Sequence, residues 1–382
     1  MAANKIFILG GYGSAGRLIA QYLLEYTEVE LTVAGRNAER AAQAAGKLNR
    51  QCGSDRVTAV KVDARDQAGL THALVGHDLL VVASSTAQFA REVAGAALAA
   101  GVDYLDIQYS TRRLEVLESL ADEIASAGRV FITEGGFHPG VPAALVRYAA
   151  QKLPGLRRAV VGCALRVDWS SYQVGEDTAM EFAQELSDYR ALVYRDGMWR
   201  KAPLWSTSVM LKMDFGDPFG RLYAAPMLLE EMRALPDLIP SLQETGFYIT
   251  GFNWFADYLI MPLALGAIKL FPRLALRPMG RFLFWGLRRF SRPPYGVVLQ
   301  MDARGDSSGL RVRVSHEDGY VLTAVPTVAC LRQYLDGTIA KPGLYLMAQV
   351  VEPERFLADM ADMGVGISRA EPFGGADEGI KS

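Results

Sequence analysis

Gly10-Gly11-Tyr12-Gly13-Ser14-Ala15-Gly16 follows directly on the apolar run Lys5-Ile-Phe-Ile-Leu9. Beyond it, apolar residues at 18, 19, 22 and 23 recur at helical spacing. A strand, a glycine turn and a helix in that order are the setting in which Gly-x-Gly-x-x-Gly has a mechanism. Gly11 permits a tight turn, Gly13 lets the backbone approach a pyrophosphate, and Gly16 lets the helix lie close on the strand. The free N–H groups at the helix start then face phosphate oxygens, aided by the helix dipole. Gly11, Tyr12, Gly13, Ser14, Ala15 and Gly16 are therefore the expected phosphate cradle of a dinucleotide.

The next strand, Val29 to Ala34, leads into Gly35-Arg36-Asn37. An NAD site usually carries Asp or Glu about 20 residues past the turn to bond the ribose 2′-hydroxyl. Here Arg36 stands 20 residues beyond Gly16. A guanidinium pairs with a 2′-phosphate through charge-assisted hydrogen bonds, and no carboxylate is present there to repel it. This pattern favours NADP over NAD, with Arg36 and Asn37 at the discriminating position.

Strands and helices then alternate as far as Val130-Phe-Ile-Thr133, with one helix expected over 111–127. Nearly all-apolar strands in such an alternation indicate a parallel sheet covered on both faces. Ligands of such sheets bind at the carboxyl ends of the strands. Asp63 falls on the adenine side, and Ser84, Ser85 and Thr86 fall beneath the nicotinamide end. Gln108, Tyr109 and Gly135-Gly-Phe-His-Pro-Gly140 border the reacting carbon. Each also reads as an ordinary strand-end cap or turn residue.

The chain has 382 residues, 50% of them hydrophobic and 21% charged, enough for two domains with cores of their own. A net charge of −2 gives no bias towards nucleic acid, and no zinc-finger or basic recognition pattern is present. Cys52, Cys163 and Cys330 are far apart and odd in number, which suits core side chains in a reducing compartment. The start Met-Ala-Ala-Asn-Lys runs straight into the first strand, leading to an expected cytoplasmic location.

At this point the residues resemble the saccharopine dehydrogenase-like oxidoreductases. The resemblance lies in the glycine turn followed by Arg17-Leu-Ile-Ala20, in Ala34-Gly-Arg-Asn37, in Gly101-Val-Asp-Tyr-Leu-Asp106 and in Gly136-Phe-His-Pro-Gly-Val-Pro142. Near the C-terminus it continues in Gly319 to Ala324, Lys341 to Leu344 and Val351 to Phe356. The resemblance implies a two-domain reductase, with an NADP-binding Rossmann domain and a mixed α/β domain carrying the substrate. It fixes no substrate, because related proteins include lysine-pathway, polyamine-pathway, lipid-associated and enoyl-reducing members. The chain shows no match to the catalytic Lys and Asp pair of the lysine-pathway enzymes.

The expected fold class is α/β, a doubly wound parallel Rossmann sheet over 1–135 followed by an α+β domain over 136–382. That second domain is expected to hold a strand at 158–165, a polar helix at 175–191, hairpins at 193–199 and 296–316, and helices at 324–335 and 352–363 flanking a strand at 344–350. Between the hairpins lies an unusual insert, 245–294. Its apolar stretch Tyr258 to Ile268 has only 11 residues without a charge, too short for a span of about 20. Lys269, Arg273, Arg277, Arg281, Arg288, Arg289 and Arg292 follow, with no acidic residue from 258 to 294. Within 279–291 a helical projection sets Arg281, Arg288 and Arg292 opposite Leu283, Leu287 and Phe290, the signature of a helix lying in a membrane interface. Pro272 and Pro278 are expected to break the region into short pieces. The alternative is packing under the second domain, or a homo-oligomer contact, with solvated arginines.

With NADPH bound, the chemistry is hydride transfer to a C=C, C=O or C=N bond. His138 is a candidate to exchange a proton near neutral pH, and Tyr109 to supply an acidic hydroxyl. A histidine between Phe and Pro in a turn also reads as structural. No His or Cys spacing suggests a metal site. The insert directs the expected substrate towards a hydrophobic, lipid-like molecule at an anionic membrane surface. A soluble amino-acid-derived imine and a non-catalytic NADP-binding role are the alternatives.

Overall fold

The computed structural model describes residues 4–169, 189–202 and 209–370. The chain divides into two compact units, one of Met1–Val141 with Tyr320–Met363, the other of Pro142–Gly319 with Gly364–Ser382.

The first unit is built on β1 (Lys5–Leu9), β2 (Glu30–Gly35), β3 (Val57–Lys61), β4 (Leu79–Val82), β5 (Asp103–Asp106) and β6 (Val130–Thr133). They run parallel in the order β3-β2-β1-β4-β5-β6, the doubly wound order, with Leu9 beside Ala34 on one side and Val82 on the other. Phe7, Leu80 and Phe131 are fully buried, and Tyr104 stacks on Phe131 with centroids 5.0 Å apart. The crossover helices begin with α1 (Ser14–Tyr26), α2 (Ala38–Cys52), α3 (Gln67–Leu74) and α4 (Ala90–Ala100). Asn37 and Asp66 cap α2 and α3 by accepting from the N–H groups of Arg40 and Gly69.

The helix expected over 111–127 is two, α5 (Thr111–Glu118) and α6 (Ala121–Ser126). Ser119 Oγ donates to the Val116 carbonyl at 2.6 Å, a local bond that competes with helix continuation.

A larger correction concerns the domain boundary, because residues 320–363 return to the first unit. Gly343–Leu346 is a seventh parallel strand on the open edge of β6, with Leu344 beside Phe131. The expected strand thus ends at Leu346, and a short helical turn, Met347–Val350, replaces its remainder. Thr327 Oγ1, on the helix Gly319–Leu335, donates to the Gly135 carbonyl at 2.6 Å. A strand that joins its sheet about 200 residues after its neighbour carries no local mark of that pairing.

The second unit is a mixed sheet of β7 (Arg158–Arg166), β8 (Leu192–Arg195), β9 (Met198–Lys201), β10 (Leu211–Asp214), β11 (Arg221–Met227), β12 (Glu244–Thr250), β13 (Gly296–Arg304), β14 (Gly309–His316) and Gly366–Ala370. β7 and β12 pair in parallel at its centre, and β13 and β14 form the expected antiparallel hairpin. The helix expected at 175–191 falls largely outside the described residues.

The insert also differs from expectation at three points. Its first residues belong to β12, where Phe247 and Tyr248 are buried. After a π-turn at Ala256–Ile260 come the helices Met261–Leu270 and Pro272–Phe290. The latter runs through Pro278 rather than breaking there. The lost bond to the Leu274 carbonyl falls at one of the most exposed residues of the segment, at 78%. Leu283 and Leu287 are buried, so the apolar face opposite the arginines serves the protein's own core. Among the described residues no helix is long and apolar enough to cross a membrane.

Candidate functional site

In the first unit the strand order reverses between β1 and β4, and the crevice at their carboxyl ends is where such sheets take ligands. The turn after β1 is more crowded than its sequence suggests. Gly10 adopts a φ of +86°, and a Cβ there would lie 2.6 Å from that of Ser84. The residue needing left-handed freedom is thus Gly10, one position before the expected Gly11. A Cβ on Gly16 would collide with the Gly10 carbonyl and lie 2.9 Å from the Gly11 Cα. At Gly13 it would meet only carbonyl oxygens, the nearer at 3.1 Å. Gly13 also holds the cap position of α1, which has no side-chain cap and no acidic residue in its first turn. The N–H groups at the start of Ser14–Ala15–Gly16 are therefore left to an anion. The cradle fits a pyrophosphate.

The end of β2 supplies cations. The Tyr12 ring lies over Gly35, where a Cβ would stand 2.6 Å from the phenol oxygen, and that oxygen accepts from the Asn37 N–H at 3.2 Å. Arg40 places its guanidinium 5.0 Å above the same ring. Arg36 is exposed one residue beyond β2. Tyr12 thus joins the glycine turn to a two-arginine edge, of which only Arg36 was legible from spacing. The signal for Arg40 is its place four residues on, in the first turn of α2. The Asn37 carboxamide oxygen is occupied in capping α2. Asp63, after β3, is gripped by Arg65, whose Nη2 lies 2.6 Å from Oδ2. That bond, with a smaller pull from Arg36, holds the carboxyl down at about 2.

Further along the edge, Ser84 Oγ and Thr86 Oγ1 lie 3.1 Å apart, and Ser85 is exposed. The Gln108 amide donates to the Ser84 carbonyl and to Thr86 Oγ1, tying the loops after β4 and β5. Tyr109 follows, half-buried.

Beneath these loops lies a buried charge cluster that the sequence reading missed. Asp106 and Arg113 are fully buried, their side chains in direct contact, with Glu134 3.8 Å from Arg113 Nη2. Thr133 Oγ1 donates to Asp106 Oδ2 at 2.8 Å, and the Gln108 and Glu134 N–H groups donate to Oδ1. Glu134 takes a φ of 57°, strained for a residue with a side chain. It opens the loop to His138, whose ring meets Phe137 edge-on at 5.0 Å. Burial holds the His138 imidazole down at about 4, so it is neutral at pH 7 rather than exchanging a proton there. β5 and β6 are parallel neighbours, so Tyr109 and His138 share one sheet edge. Among the described residues no group of His, Cys, Asp and Glu is placed to hold a metal ion.

Residues 6–132 match the family described as saccharopine dehydrogenase NADP binding domain. The fold is similar to that of saccharopine dehydrogenase (L-Glu forming) from Saccharomyces cerevisiae, with a TM-score of 0.67 and 16% identity, over 97% of this chain and 100% of the other. A myo-inositol dehydrogenase from Corynebacterium glutamicum is similar over 94% of each chain, at a TM-score of 0.47 and 12% identity. The uncapped helix start, the glycine turn and the arginine edge all lie within residues 6–132, the part of the chain that is similar to the saccharopine dehydrogenase NADP binding domain.

Proposed function

We propose that the chain is an NADPH-dependent reductase that reduces a C=C, C=O or C=N bond of a hydrophobic, membrane-held acceptor. The observation that carries the NADPH part is the arginine edge at the end of β2, where Arg36 is exposed and Arg40 is stacked on Tyr12 beside the uncapped start of α1. When bound, NADPH supplies the hydride. The chain's own part is to hold the acceptor and deliver a proton to the atom that takes up the electron pair. Tyr109 is the group with a transferable proton, and the neutral His138 serves as a hydrogen-bonding partner. The exposed apolar residues of the insert support a hydrophobic acceptor. A second reading, reduction of a soluble amino-acid-derived imine, draws on the fold shared with saccharopine dehydrogenase (L-Glu forming).

The test has two stages. Arg36→Ala and Arg40→Ala should each weaken NADPH binding by roughly ten- to a hundredfold, the range of one hydrogen bond to a charged group, and leave NADH binding nearly unchanged. Equal losses for both coenzymes would remove the 2′-phosphate role. NADPH oxidation is then followed with enoyl and ketone lipids in micelles and with soluble imines. Turnover on lipids supports the proposal, and turnover on imines alone selects the second reading. Tight NADPH binding with no turnover on any acceptor overturns both in favour of a non-catalytic NADP-binding protein.

A further inference from the structure

Of the thirteen large hydrophobic side chains exposed among the described residues, eight fall between Trp254 and Trp285. They are not a failed core, because the same helices bury another face. Ala256, Ile260, Ala264 and Ile268, spaced four apart, are at most 2% exposed, and Leu283 and Leu287 are equally enclosed. A Cβ on Gly286 would collide with the Ile260 Cδ1, so the two helices meet closely there. Phe255 packs on Phe290 with centroids 4.5 Å apart, and Phe282 stacks on Trp285 at 5.7 Å. The insert is therefore a helical hairpin fixed on its inner side, with Leu263, Leu270, Phe271 and Leu274 turned to solvent around its bend.

The hairpin's charge decides what can cover that surface. Lys269, Arg277, Arg281, Arg288, Arg289 and Arg292 are exposed. From Tyr258 to Pro294 the chain has no Asp or Glu. A second copy docked by a two-fold axis would set this cationic face against itself, within about one Debye length of roughly 10 Å. An anionic bilayer matches both properties, taking the apolar bend at the acyl boundary and the cations at the phosphates. Trp254, Tyr258 and Trp285, each more than half exposed, are residue types that settle at the headgroup level.

We infer that the hairpin 254–290 is a monotopic docking surface for anionic lipid bilayers, seated by its apolar bend and held by its lysine and arginines. The inference stands on the hairpin alone and does not require the reductase reading.

Flotation of the full chain with vesicles tests it, using phosphatidylcholine alone and phosphatidylcholine mixed with phosphatidylserine, at low and high salt. Two variants accompany it, Leu270→Ser/Phe271→Ser/Leu274→Ser and Lys269→Gln/Arg277→Gln/Arg289→Gln. All six positions are exposed, and an unchanged circular dichroism spectrum and thermal midpoint in each variant report that the fold is intact. The wild-type chain should float with the anionic vesicles in a salt-sensitive way, with Trp emission shifted to the blue. The charge variant should partition roughly a hundredfold less, at about one factor of five per cation, and the bend variant should also fall away. Wild-type protein that stays off both vesicle types, or binds both equally, overturns the inference. So does a dimer in sedimentation that the bend variant dissolves, because the second copy would then be the occupant.

Discussion

Arg113 carries its charge into a place with no solvent. Burial pulls its guanidinium below the ordinary range, and Glu134 opposes that pull. Within the cluster Asp106 joins the ends of neighbouring strands. Its carboxylate receives Thr133 Oγ1 from β6, its carbonyl receives the Gly135 N–H at 2.7 Å, and Arg113 closes the group from α5. Removing the cation leaves two buried carboxylates facing each other. Arg113→Met, close in volume, should therefore cost about 3–5 kcal/mol in denaturant unfolding. A loss under about 1 kcal/mol would mean that one carboxyl already carries a proton in the native protein. Residues of this kind mark the limit of reading a chain by itself. The close packing at Gly16 and the placement of Arg36 at the end of β2 were legible because both follow from spacing along the chain. Gly10, Arg40 and Arg113 were not, because each is set by a neighbour brought in from elsewhere: Ser84, the Tyr12 ring and Asp106.

Among elements, the alternating strands of the first unit were readable from local apolar runs, as were the hairpins. Two gaps share one cause, since a periodic pattern shows that an element has an apolar side but not which partner takes it. The strand Gly343–Leu346 was assigned to the nearer sheet and belongs to the farther one. In the helix Pro272–Phe290 the stripe of Leu283 and Leu287 was open to lipid or to packing under the second domain and takes the latter, while the solvent-facing apolar residues lie around the bend. A pair of substitutions separates these two surfaces. Leu287→Ala, at a fully buried site, should cost about 2–5 kcal/mol of stability. Leu274→Ser, at a site 78% exposed, should change it by no more than about 0.5 kcal/mol. Chemical denaturation of the two variants checks this, and equal losses would mean that Leu274 is covered in solution.

Over the whole molecule the two units carry opposite responses to acid. In the first, burial holds His138 at about 4, below its ordinary 6.5. Between those values the unfolded chain binds the proton and the native one does not, so the stability that His138 contributes is complete above about pH 6.5 and is lost as pH falls towards 4. In the second, Asp257 sits in the π-turn at the root of the hairpin, where burial pushes its carboxyl up to about 7 against the N–H groups of Gly251 and Phe252 and the charge of Arg166. Here the native state holds the proton longer, so its contribution is complete below about pH 3.8 and is lost as pH rises through 7. Each window is worth up to about 3 kcal/mol once the partial exposure of both side chains is discounted. Asp257→Asn keeps an oxygen to accept from Gly251 and removes the cost of ionisation. It should therefore raise the unfolding midpoint at pH 8 and change it little at pH 4.5. His138→Asn should do the reverse, stabilising at pH 4.5 and giving no gain at pH 8. Thermal melts of both variants at the two pH values would show this crossing. Parallel behaviour of the two variants would place the acid response elsewhere in the chain.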